Sequence, residues 1–128
     1  MNFKTTIHCA LIGSLMSCTL INNKDTQIEF NQFDVDLGTL ELKSDTSCVF
    51  YFTNTGKYPL KIHEVKTFCD CTVSEWPKKS ISSQKSGSLL VKFEAKQSGE
   101  FKNSILVYYN GDRSPTLLTL TGYVRYPE

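Results

Sequence analysis

From residue 28 onward the chain alternates apolar and polar positions in short bursts. Ile28-Glu-Phe30 and Phe33-Asp-Val35-Asp-Leu37 put every second side chain on one face, the period of a half-buried strand; Gly38 breaks the pattern and Leu40-Glu-Leu42 resumes it. The strongest apolar run is Ser47 to Thr53, in which Cys48, Phe50 and Phe52 are expected to share the inward face. Asn54-Thr-Gly56 with Tyr58-Pro59 is turn chemistry, and Leu60-Lys-Ile62 opens a strand that continues through Val65 to Phe68. Val73 to Trp76 predicts a short strand stopped by Pro77, and Lys78 to Gly87 a polar connection with Ile81 as its apolar peg. Ser88 to Ala95 alternates again, with Leu89, Val91 and Phe93 on one face. Gln97-Ser-Gly99 is a hairpin signal into Phe101 to Tyr109, and Asn110-Gly-Asp112 turns the chain into Thr116 to Val124. About seven short strands without a helical period predict an all-β chain, a two-sheet antiparallel sandwich of immunoglobulin-like size over residues 28–128. It is not of the antibody type, because Trp76 follows the close-set cysteines and does not lie on a third strand between two distant ones.

The first residues follow a different rule. A weakly basic start with Lys4, an apolar run from Ile7 to Met16 and the ending Leu15-Met-Ser-Cys18 predict a lipoprotein-type signal peptide over residues 1–17. The run is too short for a permanent span, which needs about 20 apolar residues. Leu-x-Ser-Cys resembles the lipobox of bacterial lipoproteins, so Cys18 is the expected acylation site and residues 18–27 a polar tether. The expected address is the cell envelope, anchored to a bacterial membrane through acylated Cys18 and facing the periplasm or the cell surface.

Charge narrows the partners. The chain has 14 Lys plus Arg and 13 Asp plus Glu, and Lys4 alone among them precedes residue 18, so the part beyond the leader balances. A nucleic-acid binder needs a surplus of cations to displace counterions from phosphates, and none is present.

Candidate chemistry is sparse. In an oxidising envelope, cysteines are read first as disulfides. Cys48, Cys69 and Cys71 remain if Cys18 is acylated, which leaves one unpaired. A Cys69 to Cys71 bridge would close a tiny loop, constrain the unfolded chain little and be redox-labile. The same residues also read as small side chains at a tight corner, or, with His63, as a three-ligand set for Cu(I) or Zn. On an alternating strand, however, His63 points to solvent. No nucleophile elbow, phosphate loop or metal-binding His pair accompanies it, so neither an enzyme, a cofactor nor a small-molecule substrate is expected. Trp76, Tyr108 and Tyr123 are aromatics that could form a partner surface, although outward aromatics also pair across strands.

The stretch Phe52-Thr-Asn-Thr-Gly-Lys-Tyr-Pro-Leu-Lys-Ile62, followed by Cys69-x-Cys71-Thr72, resembles a bacterial secreted family labelled a domain of unknown function and related to Hydin-type immunoglobulin-like domains. The likeness runs from about Phe30 to Val124 and includes Gly99-x-Phe101 and Gly122-x-Val124; Asp70 stands where the family usually has Gly. The resemblance implies a secreted or lipid-anchored β-sandwich and carries over no catalytic residues. The expected function is a non-enzymatic envelope module that presents a surface or edge strand to a protein partner. A thiol redox or copper-handling module built on Cys69 and Cys71 is the alternative.

Overall fold

The structure, a computed structural model, describes residues 26–128; the leader, Cys18 and most of the tether lie outside the described residues. Eight strands form: β1 (Ile28–Phe30), β2 (Asp34–Glu41), β3 (Asp45–Asn54), β4 (Ile62–Thr67), β5 (Thr72–Glu75), β6 (Ser86–Glu94), β7 (Gly99–Tyr109) and β8 (Thr116–Arg125). They make two four-stranded sheets, ordered β1-β3-β6-β5 and β2-β8-β7-β4. The all-β sandwich expected from the alternation is therefore present.

Three details depart from expectation. The polar break at Gly38 does not end a strand. The Asp36 carboxylate accepts the Gly38 N–H at 2.7 Å, and Gly38 takes a φ of +72°, so β2 continues past a bulge. Second, β2 runs parallel to β8, so the sheets are not wholly antiparallel. Alternation fixes which side chains face inward but carries no information on strand direction. Third, Gln97-Ser-Gly99 is not a hairpin. β6 pairs with β3 and β5, whereas β7 pairs with β4 and β8, so the chain crosses between sheets at Gly99, whose φ is +109°. Turn residues signal a reversal of the chain without specifying the sheet in which it lands. The stacked rings of Phe93 and Phe101, 4.4 Å apart, span that crossing.

The inward faces meet in one main core of Phe30, Phe50, Phe52, Leu89, Val91, Ile105, Val107, Leu118 and Leu120, with Leu60 and Ile62 beneath the β3–β4 turn. A smaller cluster of Phe93, Ala95 and Val124 closes one end, with Phe101 and Cys71 packed against it. Both clusters gain stability by removing apolar area from water, about 25 cal/mol per Å².

Register fixes the two ends of the molecule. Ile28 pairs with Asn54 at the end of β3, while Thr72 lies across Phe93 from Thr46 near its start. At roughly 3.3 Å per residue, the ten residues of β3 separate these ends by about 30 Å. The described chain begins at Thr26 at one end, the root, and Cys69-Asp-Cys71 caps the other, the tip.

Candidate functional site

The tip is a turn of four residues, 68–71, between β4 and β5. Its backbone is held locally: Thr72 N–H donates to the Cys69 carbonyl at 3.3 Å, and Glu94 N–H on β6 donates to the Cys71 carbonyl at 2.8 Å. The Thr67 hydroxyl donates to the Thr72 carbonyl at 3.2 Å. Cys69 and Cys71 are joined by a disulfide, with Cα atoms 5.1 Å apart. Of the three readings left open by the sequence, the bridged one is found. Chain entropy assigns so short a loop only about 1.6 kcal/mol, against about 3 kcal/mol for a loop of fifteen residues. The bridge is therefore a weak global staple, and the turn has other restraints.

The two sulfurs have different surroundings. Cys69 Sγ accepts the Cys71 N–H at 3.2 Å. Cys71 Sγ packs toward the Phe93–Phe101 stack and receives the Asn103 amide at 3.5 Å, with the Thr72 hydroxyl 3.9 Å away. Asn103 Nδ2 also reaches Thr72 Oγ1 at 3.4 Å. Lys96 Nζ lies 3.3 Å from both the carbonyl and the carboxylate of Asp70, and 3.7 Å from Glu94. These ion pairs are exposed, so each adds little stability.

Three clefts meet at this turn. One of about 520 Å³ lies beside Asp70 and Cys71, between Asp45 and Lys92. A second of about 340 Å³ is bounded by Phe68, Cys69, Lys102 and Ser104. The third, about 310 Å³, runs under the bridge toward Gln97 and Asn103. Phe68, 66% exposed, stands at the mouth of the second, and the Lys66 ammonium lies 5.6 Å from its ring centroid.

The other residues singled out from the sequence are not brought to this site. His63 is exposed on β4, four residues and about 13 Å from the end of that strand. Both sulfurs are engaged in the bridge, and among the described residues no three His, Cys, Asp or Glu side chains group as metal ligands. The set Cys69, Cys71 and His63 is not assembled. Trp76 is half-buried against the main core, with Lys78 Nζ 3.1 Å from its ring centroid, so it is largely a packing residue. Tyr108 is half-buried opposite Glu64, while Tyr123, 48% exposed, lies opposite Glu100. Eight residues of β7 separate those two register positions, about 26 Å, so the tyrosines do not share one surface. Cys48 is a free, half-buried thiol against the main core. Burial pushes its pKa above the ordinary 9.0, which leaves very little thiolate at neutral pH.

Sequence reasoning passed over Phe68, Lys96 and Asn103. For Asn103 there was a signal. It shares the inward face of β7 with Ile105 and Val107, where a polar side chain needs a partner. For Phe68 the continuing apolar pattern concealed the end of the strand.

A family model described as "Protein of unknown function (DUF1573)" matches residues 28–124. The chain belongs to this family. No curated protein matches the sequence. Among solved structures, the DUF1573 chain is similar to a protein of unknown function from Porphyromonas gingivalis W83, with TM-score 0.70 and 17% identity over 82% of this chain and 50% of that one. It thus spans half the length of that protein. It is also similar to the ASH / PapD-like domain 7 of human CEP192, with TM-score 0.69 and 12% identity over 82% of this chain and 89% of that domain. A family 123 glycoside hydrolase from Clostridium perfringens matches with TM-score 0.65 and 8% identity, over 83% of this chain but only 27% of its own. At these identities the likeness is one of fold, and the hydrolase's activity is its own.

Proposed function

We propose that this DUF1573 chain is a non-enzymatic, lipid-anchored module of the bacterial cell envelope that holds its Cys69-Asp-Cys71 tip away from the membrane for a protein partner. The observation that carries this reading is the placement of root and tip at opposite ends of the sandwich. A chain tethered through acylated Cys18 enters at Thr26, and the tip is then about 30 Å farther out along β3. The tip has the attributes of a recognition surface: a turn restrained by a bridge and backbone hydrogen bonds, concave on several sides, with an exposed aromatic ring at its edge.

The tip is favoured over an edge strand. β2 and β4 each carry a register shift and β4 presents Lys66, devices that discourage strand addition, while β1 and β5 have only three and four residues. Intact mass of the protein extracted from its native membrane tests the anchor, with an acyl mass on Cys18 expected. A photo-crosslinker at Lys66 is expected to capture a discrete envelope protein, and Phe68→Ala to abolish the capture. Capture that Phe68→Ala leaves unchanged would count against the tip as the partner surface.

A further inference from the structure

The tip bridge is the one covalent bond at this end of the molecule that can open without loss of the fold. It joins residues separated by two in sequence, and the turn's flanks stay held by the Glu94 and Thr72 N–H groups, neither of which depends on the sulfurs. The sulfurs are also unequal. Two side-chain donors, the Asn103 amide and the Thr72 hydroxyl, are gathered on Cys71 Sγ, whereas the contact made to Cys69 Sγ is the backbone N–H of Cys71. In thiol–disulfide exchange the leaving sulfur departs as a thiolate, and donors aimed at it favour its departure. The 340 Å³ cleft borders Cys69 alone, the 520 Å³ cleft Cys71 alone and the 310 Å³ cleft both, so access does not choose between the sulfurs and the choice falls to the donors gathered on Cys71.

We infer that Cys69–Cys71 is an exchangeable disulfide, opened at Cys69 by a protein dithiol docked at the tip, with Cys71 as leaving group. The inference builds on the tip as partner surface and gives that partner a chemistry. The incoming thiolate attacks Cys69 Sγ. The Cys69–Cys71 bond breaks as a mixed disulfide forms, and the electron pair leaves on Cys71 Sγ, where Asn103 and Thr72 donate hydrogen bonds before it takes a proton. The partner's second thiolate then attacks its own sulfur in the mixed disulfide and releases Cys69. The partner dithiol is oxidised to a disulfide, and the tip is reduced to two thiols. Asn103 acts here as a positioning residue. Cys48 takes no part, because it is packed against the main core.

The test uses the full-length chain with Cys9→Ala, Cys18→Ala and Cys48→Ala, which removes the background thiols. The oxidised protein is incubated with glutathione, quenched in acid and mapped by peptide mass. Glutathione is expected on Cys69 in about tenfold excess over Cys71. Adducts mainly on Cys71, or a bridge that stays closed in excess glutathione, would overturn the inference whatever docks at the tip. In the reduced protein, Asn103→Ala is expected to move the alkylation profile of Cys71 to higher pH and leave that of Cys69 in place. A merely structural asparagine would move both or neither, and either result removes Asn103 from the step. A thioredoxin-type dithiol protein serves as the second probe. Phe68→Ala is expected to slow that reduction several-fold without changing the glutathione rate. No slowing of the dithiol protein, or equal slowing of both probes, with glutathione still on Cys69, would keep the exchange and reject the docking surface.

Discussion

Asn54 is fully buried and polar, and the surrounding turns depend on it. Its amide donates to the Tyr58 carbonyl at 2.7 Å and the Ile81 carbonyl at 2.9 Å, and its side-chain oxygen accepts the Gly56 N–H at 3.0 Å. One side chain thus ties the β3–β4 turn to the long connection before β6, next to the paired backbones of Leu60 and Ile81. Replacing Asn54 with Ala leaves the Tyr58 carbonyl and the buried Gly56 N–H without this partner, while the Ile81 carbonyl keeps the Leu60 N–H at 2.8 Å, so the expected loss is about 1–3 kcal/mol, read as the shift in urea midpoint. A loss below about 0.5 kcal/mol would mean that water takes over the role. The local half of this arrangement was legible, since Asn54-Thr-Gly56 reads as turn chemistry from sequence. The other half was not, because Ile81 lies 27 residues away and no local pattern links the two. The same limit concealed Asn103, whose inward position was readable although its sulfur partner was not.

At the scale of elements, the parallel pairing of β2 with β8 leaves no room for a side chain at one position. β2 passes close to β8 where Gly122 has no side chain: a Cβ there would come within 2.6 Å of the Phe101 ring and 2.9 Å of the Gly38 carbonyl. The bulge of β2 therefore passes directly over a bare backbone position. Gly122→Ala is expected to cost about 1–3 kcal/mol by pushing β2 off β8 or Phe101 out of its stack with Phe93. Hydrogen exchange checks which, with faster exchange confined to β2 and the neighbouring part of β8 as the expected pattern. Unchanged protection across β2 would show that the ring yields instead. Most of the strand set was legible, because alternation reports burial directly: Leu89, Val91, Phe93, Leu118, Leu120 and Val124 are all buried as their spacing predicts. Pairing was less legible. The crossing at Gly99 and the parallel run of β2 beside β8 depend on which sheets pack together, a contest between distant segments that the local period does not encode.

The whole molecule adds orientation. Charge balance makes a strong pull of the domain onto an anionic lipid surface unexpected, so under the proposed anchoring at Cys18 its stance would be governed by the tether and by the end at which it enters. Any random-coil tether of ten residues has an r.m.s. reach of about 17 Å, shorter than the sandwich itself. A domain hung on such a tether can tilt, yet averaged over its motion the root stays nearer to the membrane than the tip. Single fluorophores at exposed Lys57 near the root and Asp70 at the tip, on lipidated protein in vesicles with headgroup acceptors, would report this as energy transfer. Transfer is expected to be several-fold stronger from position 57, because a difference of about 30 Å along β3 is felt steeply. Equal transfer would mean that the long axis of the sandwich lies along the membrane, with the tip no farther out than the root. In that geometry the length of β3 gives the tip no reach toward a partner, and the reading of a tip held away from the membrane fails. The orientation measurement therefore separates a tip offered outward from one held against the membrane before any partner is known.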